Sequence, residues 1–273
     1  MGELAPGSLS LAFCLLAVMA VGAEPVAGVN AGWQELALLN AQPARAAFES
    51  VAPADPAARE ARLGIALALL QSRSRSPGTL ADARERLESL QREAPDDESG
   101  IAATYYLARL AQVHDYAPDR AAAVAGYRAL LARHPGHFYA QLAAPKLAVL
   151  LLYDETSPEE WSRRVAELEA LIPQLPAPAA ARDVRLTLGV ALIRLHHDHA
   201  RAYPLITACL ADGSVTRMTH LGWLLVQAAE SAHQLGKTQE ERAWYGRFLA
   251  EFPHDAKADE VRRRLAEDLA STP

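Results

Sequence analysis

Five prolines, Pro56, Pro95, Pro135, Pro176 and Pro253, close apolar segments at intervals of 39, 40, 41 and 77 residues, the last nearly two periods with Gly213 in the gap. Eight residues before each stands a large apolar side chain: Phe48, Leu87, Tyr127, Leu168 and Tyr245. Self-similarity at such a period is the signature of a solenoid. One supersecondary unit of this size cannot bury its apolar face alone, so neighbours must stack and share a continuous core.

The unit is helical. Ala and Leu, the strongest helix formers, dominate the apolar residues of this 273-residue chain, and no run alternates β-branched with polar residues as a half-buried strand would. Helical spacing places thirteen helices at 30–41, 43–52, 56–73, 79–94, 97–114, 118–134, 137–152, 158–172, 178–197, 199–211, 215–235, 238–252 and 255–270. Ser157-Pro158-Glu159-Glu160 reads as a helix start, with a capping hydroxyl, a proline at the first helical position and carboxylates at the positive end of the dipole. Gly236 after Leu235 reads as a left-handed stop, and residues 72–78 (SRSRSPG) read as a flexible loop.

Within each period Ala44, Phe48 and Pro56, then Ala83, Leu87 and Pro95, then Ala123, Tyr127 and Pro135 share one spacing, and Leu63-Gly64, Leu107-Ala108 and Leu188-Gly189 supply a Leu-small pair in the preceding or following helix. These positions resemble the tetratricopeptide-repeat (TPR) family. Arg164, Arg201 and Glu241 depart from it, standing where the family carries Ala, and at Arg164 and Arg201 a long charged stem must snorkel to water. Residues 244–265 and 127–147 are similar to repeats of periplasmic TPR proteins of outer-membrane assembly and cell division. The resemblance implies an all-α, right-handed α-solenoid of about six stacked hairpins over residues 24–273, closed by a C-terminal capping helix. It also implies a non-catalytic, protein-binding scaffold in the bacterial cell envelope.

Leu9 to Ala23 is an uncharged apolar run of fifteen residues ending in Val21, Gly22 and Ala23. At about 1.5 Å per residue it falls short of a hydrocarbon core of roughly 30 Å, and residues 1–23 therefore read as a signal peptide, with a periplasmic location to follow. Phe13 before Cys14 lacks the small residue that a lipid-attachment site wants. Cys209 is then the one cysteine of the mature chain, set among apolar neighbours as a buried hydrophobe.

The formal charge of -6, with basic residues scattered, argues against nucleic acid as a partner. His196-His197-Asp198-His199 offers metal-ligand chemistry, yet consecutive residues rarely converge on one ion, and the cluster reads as a polar turn. Gly236-Lys237-Thr238 lacks the second glycine and the strand of a phosphate loop. No catalytic motif, metal site or small-molecule cofactor is expected, and the partner expected is a protein or peptide. Register counted from the Leu-small pairs turns Tyr105, Tyr106, Arg109 and Gln112, then Asp183, Leu186 and Arg194, then Trp223, Gln227, Glu230 and His233 toward an inner binding face, where aromatic and Arg anchors suit an interface. The alternative reading is an accessory helical domain of an envelope enzyme or transport system, with no peptide groove of its own.

Overall fold

A computed structural model describes residues 27–73, 76–154, 156–213, 215–216 and 218–270. The expected signal segment lies outside them. Among the described residues there are thirteen α-helices and no strand, and no helix is long and apolar enough to cross a membrane. The chain divides into two compact units, one ending at Arg133 and the other beginning at His134.

The first unit holds three antiparallel hairpins: α1 (Ala27–Ala37) with α2 (Ala41–Glu49), α3 (Ala58–Gln71) with α4 (Pro77–Glu93), and α5 (Glu98–Arg109) with α6 (Arg120–Arg133). Within this unit α2 also packs on α3 and α4 on α5, the nearest-neighbour stacking of a helical repeat. Ala44, Ala83 and Ala123 are fully buried, and Phe48, Leu87 and Tyr127, four residues on, are buried beside them. The small residues have a steric reason. A Cβ on Gly32 or on Gly64 would run into the Phe48 ring, so this ring is held between α1 and α3 because both present hydrogen in its place.

Between hairpins the chain turns tightly. Asp97 accepts a hydrogen bond from the Gly100 N–H at 2.7 Å, capping α5. Arg59 reaches across from α3 with both Nε (2.6 Å) and Nη2 (3.1 Å) on the Asp97 carboxylate and Nη1 on Glu93 at 2.8 Å. Hydrogen bonds from Arg62, then from Ser89, hold the Glu93 carboxyl down at about 2. The first helix ends four residues before the expected 41, because Leu39 takes a left-handed φ of 63° and closes the helix as a glycine would.

The second unit continues with α7 (Phe138–Leu152), α8 (Pro158–Leu171), α9 (Pro178–His196), α10 (His199–Ala211), α11 (Met218–Gln234), α12 (Thr238–Glu251) and the closing helix α13 (Ala258–Ala270). Ser157 caps α8 through the Glu160 N–H, and Gly236 has the left-handed φ of 68° expected of it. On α13, Ala258 and Val261 face inward, whereas Arg262 and Arg263 are exposed. An apolar inner face with a charged outer one is how a terminal repeat ends a stack.

The three charged departures resolve differently. Arg164 does not snorkel to water: its side chain is only 16% exposed, and its guanidinium donates to the Leu151 carbonyl at 3.0 Å and to Glu160 at 2.7 Å. At α10 the register is one residue later than expected, since Ala202 and Ile206 are fully buried as the Ala and bulky positions and Arg201 turns out to Glu169 at 2.8 Å. Glu241 is truly buried, 4% exposed, with His233 Nδ1 3.0 Å from its carboxylate.

Gln141, also buried, ties two turns of this unit together. Its amide donates to the Pro135 carbonyl and its Oε1 accepts from the Ala177 N–H at 3.2 Å. Gln141→Leu strands both backbone groups without partners, and the expected loss is about 2 kcal/mol of unfolding free energy. Urea titration of the purified variant measures it, and a loss within error of zero would show that water replaces the amide.

Candidate partner-binding groove

In the second unit α7, α9 and α11 are the first helices of three successive hairpins, and their faces line a groove of about 590 Å³. α7 supplies Val149 and, as the residue that caps it, Tyr153, α9 supplies Leu186, Thr187, Val190 and Arg194, and α11 supplies His220, Trp223 and Leu224. Val149 and Tyr153 are 43% and 44% exposed, although both are large and apolar. Val149 lies in the last turn of α7 and Tyr153 just after its final residue, and the segment LAVLLLY is apolar throughout, so part of it stays uncovered once the rest has packed.

The Arg194 guanidinium lies over the Trp223 ring, 5.4 Å from its centroid, a cation–π distance. It also lies near Tyr153, whose phenol burial pushes above the usual tyrosine value while the Arg194 charge pulls it back. None of the nine lining side chains is a carboxylate. The groove is apolar with a positive spot, in a chain of net charge -6.

Register therefore brings Leu186, Arg194 and Trp223 together. Asp183 lies one turn before Leu186 on α9 and bonds with neighbouring Arg182 at 2.8 Å. Gln227 and Glu230 continue the α11 face beyond Trp223 and hydrogen-bond each other at 2.6 Å, with Glu230 3.7 Å from Arg264 of the closing helix. His233, one turn further, is taken by Glu241. Val149, Tyr153, Thr187, Val190, His220 and Leu224 were not legible as groove residues. The signal for the first two is the surplus of apolar residues on α7, more than a one-sided helix needs.

The other four expected residues belong to the first unit. Tyr105 is 6% exposed, and its ring packs against Tyr127 with centroids 6.1 Å apart, which makes it part of the core and a support for its neighbours. Tyr106 is half-buried and meets Tyr105 edge-on at 5.1 Å. Arg109 and the Tyr127 hydroxyl both donate to Gln112 Oε1, each at 2.7 Å, so Arg109 and Gln112 close the end of the α5/α6 hairpin. Burial raises the Tyr127 phenol to about 12, which keeps that hydroxyl a donor.

The histidine cluster diverges: His196 stacks on Trp161 with centroids 4.1 Å apart, His197 adopts a left-handed φ of 52°, and His199 Nδ1 lies 3.0 Å from Ser231 Oγ. Cys209 is fully buried, and burial lifts its thiol to about 11, where the nucleophilic thiolate is scarce.

No protein-family model matches the chain, and no curated protein matches it. Among solved structures it is similar to the crystal structure of a thermophilic TPR protein of Thermus thermophilus, at 18% identity and a TM-score of 0.40, over 78% of this chain and 99% of that one.

Proposed function

We propose that the chain is a non-catalytic scaffold that binds a segment of a partner protein in the groove formed by α7, α9 and α11. The observation that carries this reading is the groove itself, where Val149, Tyr153 and Trp223 leave apolar surface uncovered beside an aromatic-stacked arginine. Large apolar side chains left open to water and grouped with Trp, Tyr and Arg are the usual composition of an interface centre.

Replacing Tyr153 and Trp223 together with Ala tests the reading. Both are incompletely buried, so thermal stability is expected to fall little, whereas binding of a crosslinked partner is expected to weaken by about 30-fold or more. A sharp drop in melting temperature, with the folded fraction still binding the partner normally, would make these residues core and defeat the groove.

The same proposal places the scaffold in the bacterial envelope, supported by the apolar run from Leu9 to Ala23. N-terminal sequencing of the protein from its native host is expected to begin at Glu24. A start at Met1 together with recovery in the cytosolic fraction would reject the location.

A further inference from the structure

Resting on the groove reading, we propose that its occupant is an acidic peptide segment that presents an internal Asp or Glu side chain to Arg194, with aliphatic or aromatic residues on either side of it. Two features of the second unit point there. Arg194 is exposed and forms no ion pair or hydrogen bond with any described residue, while most arginines of the chain are engaged, among them Arg164, Arg182, Arg201 and Arg264. Its guanidinium lies over the Trp223 ring, 5.4 Å from the centroid, and Tyr153 lines the same groove. A guanidinium stacked on an aromatic face keeps its N–H edge open, and that planar fork matches a carboxylate through two parallel hydrogen bonds.

Complementarity supplies the rest. No carboxylate lines the groove to compete for Arg194, so an acidic occupant meets its guanidinium unpaired. α9 is the middle helix of the three, with Val149 on the α7 side and the incompletely buried Trp223 on the α11 side. A chain crossing the groove thus meets apolar surface before and after Arg194. That arrangement suits a side-chain carboxylate within a segment rather than one at a chain end.

Selection of randomised peptides displayed against the full chain tests this without knowing the natural partner. The enriched peptides are expected to carry Asp or Glu at one position between apolar residues. Changing that residue to Asn or Gln in synthetic, C-terminally amidated copies is expected to weaken binding roughly 10- to 100-fold, the scale of a charged hydrogen bond. Arg194→Gln is expected to lose the same factor with the wild-type melting temperature, and Arg194→Glu to enrich Lys or Arg at that position instead. The proposal is overturned if enriched peptides show no acidic preference, if Arg194→Glu binds the acidic peptides as well as the wild type does, or if amidation alone abolishes binding. Failure of the groove reading looks different: no peptide is enriched, or the enriched peptides bind the Tyr153→Ala, Trp223→Ala chain undiminished.

Discussion

Phe48→Ala is expected to cost about 4 kcal/mol of folding free energy, the scale for deleting a buried aromatic ring. The ring is 1% exposed, meets Trp33 edge-on with centroids 5.1 Å apart, and fills the space left by Gly32 on one side and Gly64 on the other. Gly32 and Gly64 carry no side chain that could swing into the hole, and α1 and α3 both lose their contact with α2. In stacked repeats the damage stays with the neighbours. Hydrogen exchange is therefore expected to accelerate across α1 to α3 and to leave α9 to α12 unchanged. Urea unfolding followed by Trp33, the single tryptophan before residue 134, measures the loss. A value under about 1 kcal/mol would mean that the hairpins close over the gap.

Gly100→Ala is the second large effect, expected near 3 kcal/mol, the upper range for a forced steric overlap. A methyl group there would overlap the Ala94 carbonyl oxygen and come within 3.0 Å of Pro95 Cα, both of them backbone. The turn cannot open cheaply to admit it. Asp97 caps the helix through Gly100 itself, and Arg59 holds Asp97, Glu93 and the Leu90 carbonyl from the other side. Relief thus requires giving up the cap and the arginine fork together. Burial alone would push the Asp97 carboxyl up, yet hydrogen bonds from Arg59 and from the Gly100 N–H hold it below its usual value. Opening the turn in Gly100→Ala is expected to move that titration back upward, readable by carboxyl NMR. An alanine variant that melts with the wild type and keeps the Asp97 titration would show the turn to be loose.

The helices themselves were legible from the amino acids. Periodicity, together with punctuation such as Ser157-Pro158 and Gly236, located all thirteen segments, and the spacing Ala44, Phe48, Pro56 marked the buried seam correctly. This works because a helix end is decided by groups within one turn of it, and because a seam residue must be small or apolar wherever two helices touch. Leu39 escaped because left-handed backbone is expected at Gly or Asn, not at Leu.

Of the groove, the sequence by itself determined Leu186, Arg194 and Trp223, through register alone. Only the tertiary structure decided the rest. Tyr105 and Tyr106 were both assigned to a binding face, but successive helix residues point about 100° apart, so the packing of Tyr127 had to choose which one is buried. Arg201 yielded the expected inward position to Ala202 because Gly189 offers its small face to Ile206, a contact between two helices that no spacing within one of them can express. Val149 and Tyr153 show the general reason. A sequence states which residues are apolar, whereas which of them remain open to water depends on where the neighbouring helices come to rest.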